Sequence, residues 1–318
     1  MKKRFLAIIL VVTLVLSMAS MASAHELYFV DLEEGKMGEE IELKLWWGHF
    51  PHNPDPESAY FNSIPEGELY VHTPDGKEIA LELTQQDDHY SASFIPETGG
   101  DFQVIFKHDR GIIDWAHGEP QGFQHIQTLV KAYIPVDGDP DLHAYDLPAN
   151  LDLEIIPKVD IGHFQLADEF QAVLKYLGEP LANQSIIVVS PTATTSDAEI
   201  FADITTDENG VFSFVPNDEN TWMLKVALFD DERGGVTDGQ EYIGTRYTLT
   251  TYFLVQPQEN EEVVVDTGVT PATPANDAAA ATEQANTQGK MLLIGTIILF
   301  AGAAFLFLKG RKKGDVNA

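Results

Sequence analysis

Apolar residues recur at every second position through much of this chain. Ile41, Leu43, Leu45 and Trp47 share one parity, and Phe102, Val104 and Phe106 share another, which is the period of a strand with one buried face. The alternation predicts strands over Leu27 to Leu32, Glu40 to Trp47, Glu68 to His72, Glu78 to Leu83, Tyr90 to Phe94, Asp101 to His108 and His125 to Pro135. A second set covers Leu151 to Lys158, Glu169 to Leu177, Ser185 to Ser190, Glu199 to Thr205, Gly210 to Val215, Thr221 to Phe229 and Arg246 to Val255. No long helical period interrupts them, and HTPDGKEI supplies a hairpin turn. Count and spacing predict an all-β chain of two immunoglobulin-like β-sandwich domains. They would span residues 25–145 and 146–257, with the turn-rich IPVDGDPDLHAYDLPAN as the joint. The second unit, with YLGEPLANQSIIVV and TTDENGVFSFVP, resembles a small structural β-module and reads as a spacer or partner surface.

Two apolar runs do not alternate. The first, Phe5 to Val15, follows Met1-Lys-Lys-Arg4 and precedes Ala22-Ser-Ala24, the layout of a secretory signal over residues 1–24. The second, Met291 to Leu308, carries no charge and is followed at once by KGRKK. It predicts one transmembrane helix over residues 291–308, with residues 309–318 as a short cytoplasmic tail. Between Pro257 and that run lies a segment rich in Ala, Thr, Pro and acids, which reads as a flexible, disordered stalk over residues 258–290. The expected topology is a single-pass protein of the cell membrane, its N-terminal domains extracytoplasmic, at the periplasm or cell surface.

The chain has 50 acidic and 19 basic residues, a formal net charge of −31, so phosphate backbones are repelled and nucleic acid is not an expected partner. Cysteine is absent, which removes disulfides and thiol catalysis and leaves His, carboxylate and the terminal amine as metal donors. A glycine-rich phosphate loop, a nucleophile elbow and HExxH are also missing from the sequence. A binding protein is therefore expected rather than an enzyme.

Histidine is distributed unevenly. All ten lie between residues 25 and 163, and nine precede Asp146, which places imidazole chemistry in the first domain. Cleavage after Ala24 would make His25 the first residue, where amine and ring nitrogen close a six-membered chelate. An α-amine, with a pKa of about 7.7 to 8.0 against about 10.4 for Lys, gives up its proton readily. His49, in LWWGHFPH, continues the parity of Ile41 to Trp47 and reaches the inward edge of its strand as a ligand or as a satisfied core histidine. His108 ends the Phe102 face. The stretch after it, DRGIIDWAHGEPQGFQH, carries His117, Glu119 and His125, which suits a site built on a loop or, equally, a solvated connection. His52 sits in a Pro-rich loop, and His72, His89, His143 and His163 read as surface positions.

The order of AHELYFVDL, LKLWWGHFP, GDFQVIFKHD, DWAHGEPQGFQHIQTLVKAYIPV and LDLEIIPKVD resembles the exported β-rich proteins that accompany nickel and cobalt uptake transporters of the energy-coupling-factor type. The resemblance implies that His25, His49 and His125 contribute to a metal site. His117 or Glu119 is the outer candidate. The expected role is to capture Ni²⁺ or Co²⁺, with Cu²⁺ as the alternative ion, for transporter subunits in the same membrane. Two other classes remain open: a copper oxygenase built on a histidine brace, and a surface adhesion protein in which the histidines are incidental.

Overall fold

The computed structural model describes residues 25–137, 142–192 and 200–258. The expected signal and transmembrane helix, and all but the first residue of the stalk, lie outside them. Among the described residues no helix is long and apolar enough to cross a membrane.

The first half contributes β1 (Glu26–Phe29), β2 (Gly35–Lys36), β3 (Ile41–His49), β4 (Asn53–Pro54), β5 (Glu68–His72), β6 (Glu78–Leu81), β7 (Thr84–Gln85), β8 (His89–Phe94), β9 (Gly100–Trp115) and β10 (Gly122–Asp137). The second contributes β11 (Leu153–Pro157), β12 (Phe170–Tyr176), β13 (Glu179–Pro180), β14 (Ser185–Val189), β15 (Ile200–Thr205), β16 (Val211–Phe214), β17 (Asn220–Asp230), β18 (Gly235–Thr237), β19 (Gln240–Tyr242) and β20 (Thr245–Val255). The chain is all-β with sandwich-like sheets. HTPDGKEI turns as expected, with Gly76 in the left-handed region at φ 82° and Thr73 N–H donating to the Lys77 carbonyl.

Three sheets stack around two cores. One small sheet runs β1-β3-β8-β7, another runs β11-β12-β13, and between them lies a large sheet in the order β15-β14-β17-β20-β10-β9-β5-β6. The large sheet is buried on both faces. Phe102, Val104 and Phe106 of β9 and Val130, Ala132 and Ile134 of β10 pack toward β1 and β3 through Leu27, Phe29, Leu43 and Leu45. The alternate residues Ile105, Leu129 and Tyr133 pack with Ile155, Phe170, Trp222 and Phe253 in the second core. Each of the larger aliphatic and phenylalanine side chains among them contributes on the order of 1.5–3 kcal/mol by leaving water.

The large sheet runs through the joint expected at residues 145/146. β10 pairs in parallel with β20, from His125↔Thr245 to Ala132↔Tyr252, so the two sandwiches share their inner sheet. The second half is thus continuous with the first rather than suspended from it. The segment after His108 also departs from a loop: β9 continues to Trp115 and β10 begins at Gly122, closing a long hairpin.

Candidate metal site at the head of the first strand

Pairing register brings His25 to His49. β1 and β3 are antiparallel with Glu26 opposite Gly48 and Leu27 opposite Trp47, so the residue before Glu26 falls beside the residue after Gly48. The two imidazole centroids are 4.4 Å apart, their planes inclined at 46°. Trp47, two residues back on the same face, stacks on His25 at 5.6 Å.

The short strand β4 adds a carboxylate to that face. Gly48 pairs with Pro54 and His49 with Asn53, and Asp55 N–H donates to the Trp47 carbonyl at 2.7 Å. Glycine at 48 is required for this approach, because a Cβ there would stand 2.2 Å from the Asn53 carbonyl oxygen. Asp55 Oδ2 then lies 2.9 Å from His25 Nε2. A proton held on Nε2 by that carboxylate leaves Nδ1 as the lone-pair nitrogen. Nδ1 is the ring nitrogen that can close a six-membered chelate with the α-amine of a terminal His25.

Behind the histidines lies an aromatic wall. Trp47 meets Tyr60 edge-on at 4.3 Å, the Arg110 guanidinium sits 3.7 Å from the Tyr60 centroid, and Tyr60 Oη lies 3.2 Å from His108 Nδ1. Burial pushes the Tyr60 hydroxyl up to about 12. Burial first, and Arg110 second, hold the His108 imidazole below its ordinary value. The Tyr60–His108 pair is therefore neutral at pH 7, and the wall adds no titrating charge beside His25. The Trp47 indole Nε1 is buried without a hydrogen-bond partner among the described residues.

The other expected ligands take different partners. His125 Nε2 lies 2.7 Å from Asp109 Oδ1 and 3.2 Å from Gln127 Nε2, with Tyr242 beside its ring at 5.9 Å. Asp109 alternates with His108 and Arg110 along β9, so His125 stands on the opposite face of the sheet from Tyr60 and His108. A register irregularity between His125 and Gln127 accompanies this placement. His117 and Glu119 are exposed in the turn of the β9–β10 hairpin. His117 lies edge-on to Trp115 at 5.6 Å, and the Glu119 carbonyl accepts from Arg246 Nη2 at 3.2 Å. Among the described residues no group of three or more His, Cys, Asp or Glu side chains converges for a metal ion. His25 and His49 are the two expected ligands that meet. His89, expected on the surface, instead stacks on Trp46 at 5.3 Å and 10°.

Asp55 as the partner of His25, and Tyr60 and Arg110 against Trp47, were not foreseen. The signal available for Asp55 was its place after PHNP, a turn that folds the chain back beside its own strand.

A family model described as "Domain of unknown function (DUF4198)" matches residues 22–230. No curated protein matches the chain. Among solved structures, the D0-D1 domain of intimin aligns at 10% identity and a TM-score of 0.19 over 73% of this chain and 100% of its own. The native conformation of E. coli alpha-2-macroglobulin aligns at 12% identity and a TM-score of 0.20, again over 73% of this chain but only 14% of its own.

Proposed function

The chain belongs to the DUF4198 family, a domain of unknown function, and we propose that it is an extracytoplasmic, membrane-anchored metal-binding protein whose cargo site is His25 and His49. The observation that carries this reading is the 4.4 Å approach of the two imidazoles together with the Asp55 contact to His25 Nε2. Once the leader is removed, the His25 α-amine and Nδ1 and one ring nitrogen of His49 make a three-nitrogen set for a late first-row divalent ion. Ni²⁺ or Co²⁺ is the cargo that the resemblance to uptake accessories favours, and transporter subunits in the same membrane are the recipients. A stalk and one span raise the effective concentration of captured ion at a neighbouring permease, so moderate affinity suffices.

The protein's own groups do three things. Asp55 fixes the ring orientation and the tautomer of His25, the aromatic wall of Trp47 and Tyr60 covers one side, and the α-amine loses its proton as the ion enters. Isothermal titration of the mature protein with Ni²⁺ tests this. One site is expected, lost in His25→Ala and lost equally when one extra residue precedes His25. Unchanged binding in either variant overturns the assignment, and absence of a Ni²⁺ site in the wild-type protein is the result an adhesion protein with incidental histidines would give.

A copper reading rests on the same donors. Three nitrogens from two residues suit the tetragonal preference of Cu²⁺, and peroxide-dependent turnover of a polysaccharide by the copper-loaded protein would turn binding into oxygenase chemistry.

A further inference from the structure

A chelate at a chain terminus has to be held still, because terminal residues fray unless something ties them down. β1 is four residues long and buried at every position, and its first residue, Glu26, supplies the tie. Glu26 is 2% exposed. Its Oε2 is ion-paired with Lys225 Nζ on β17, and its Oε1 accepts the Phe50 N–H at 3.4 Å. Glu26 follows His25 and Phe50 follows His49, so one carboxylate joins the backbone neighbours of both imidazoles. The Leu27 carbonyl is held as well, accepting from Thr250 Oγ1 at 3.0 Å and Tyr252 Oη at 2.9 Å, both on β20.

We propose that Glu26, clamped by Lys225, is the positioning residue of the metal site: it sets the spacing of His25 and His49 without touching the ion. This rests on the metal-binding reading above. Alternation along β1 turns Glu26 to the opposite side from His25, so it acts through the backbone. A buried carboxylate–ammonium pair is a costly way to fill a core, since an apolar pair of similar volume often serves stability as well or better. What the pair adds is direction: the carboxylate has two oxygens, and each fixes a different segment. The clamp also gives β17 and β20 a role at the site, although Lys225 lies 199 residues from Glu26.

The test uses the mature full-length protein with Ni²⁺ and, separately, Cu²⁺. Glu26→Gln keeps an acceptor for the Phe50 N–H but removes the charge that Lys225 faces. Its metal affinity is expected to fall 10- to 100-fold, the range seen when outer-shell supports of a ligand are removed. The absorption and EPR spectra of its copper-saturated form are expected to differ from wild type, a change that a loss of stability alone would not make. Lys225→Arg, which keeps the cation opposite Glu26, should retain wild-type values, and Lys225→Met should not. In the metal-free protein, the nuclear Overhauser contact between the His25 and His49 ring protons should be present in wild type and lost in Glu26→Gln. If Glu26→Gln does not fold, the same readings on Lys225→Met against Lys225→Arg judge the clamp, since both leave Glu26 its bond to the Phe50 N–H. A wild-type protein that binds no metal refutes the proposed function, while the ring contact still judges the clamp. Folded variants with unchanged ring contact, affinity and spectra overturn the clamp alone.

Discussion

Asp55 and His25 are joined across the intervening strand β3, carboxylate oxygen to Nε2 at 2.9 Å. The bond chooses the tautomer of His25 and thereby which nitrogen is offered to an ion. Asp55→Ala should therefore weaken Ni²⁺ or Cu²⁺ binding by roughly 10- to 100-fold, since the ring would turn and the proton would redistribute between the nitrogens. Calorimetric titration at one pH measures this directly. Affinity within twofold of wild type would mean that Asp55 is only a surface ion pair, which is worth little.

The nitrogen donors predict an order among ions. Affinity for such a set rises from Co²⁺ through Ni²⁺ to Cu²⁺, so Cu²⁺ should displace bound Ni²⁺ in a competition titration, and Mg²⁺ or Ca²⁺ should not compete. An oxygen-rich acidic surface would instead favour Ca²⁺ and Mg²⁺. Retention of Ca²⁺ in preference to Ni²⁺ would move the site from the histidines to the carboxylates.

Most of the strands were legible in the sequence, and alternation over Phe102, Val104 and Phe106 placed the first half of β9. His25 and His49 stood among several candidate histidines, and their contact comes from the register of β1 on β3, which neither segment displays by itself. That the large sheet is covered on both faces was not legible, because its second face carries polar residues: Gln103 of β9 and Lys131 of β10 are fully buried. Distant partners meet their donors: Gln103 Nε2 donates to the Leu147 carbonyl at 2.8 Å and Lys131 pairs with Glu154, while Gln103 Oε1 is buried without a partner among the described residues. The parallel pairing of β10 with β20 leaves no trace in either segment, because a ladder is made of backbone groups that every residue carries. The resemblance put His125 with His25 and His49, and strand parity, disturbed beside it by the irregularity at His125 and Gln127, places it on the other face.

Asp101 gives a prediction about pH. Burial, and then Asp160, raise its carboxyl to about 6, against opposing contributions from His163 and His143. Between about pH 4 and 6 the folded protein holds a proton that the unfolded chain has released, so stability falls as pH rises through that window and stays lower above it. The penalty at pH 8 is about 3 kcal/mol, since each tenfold difference in proton affinity between the folded and unfolded chain is worth about 1.4 kcal/mol. Asp101→Asn, which remains neutral, should raise the melting temperature at pH 8 and leave it unchanged near pH 4. Equal gains at both values would locate the effect in packing instead of ionisation.

Lys131 and Glu154 make the second buried ion pair, Nζ to Oε1 at 2.5 Å, with side chains 0% and 4% exposed. Glu154 Oε1 also accepts the Ala149 N–H at 2.7 Å, so the pair ties the shared sheet to β11 and to the segment leading into it. Lys131→Met would leave a buried carboxylate facing no charge, which costs about 3–5 kcal/mol, a large share of the roughly 5–15 kcal/mol that holds a domain folded. The double variant Lys131→Met/Glu154→Gln removes the stranded charge while keeping an acceptor for Ala149, and should recover most of the loss. Urea denaturation of the three proteins decides the matter. Recovery in the double variant means that the single variant suffers from the uncompensated charge of Glu154. A double variant as unstable as the single one means that the ammonium itself holds the two sheets together.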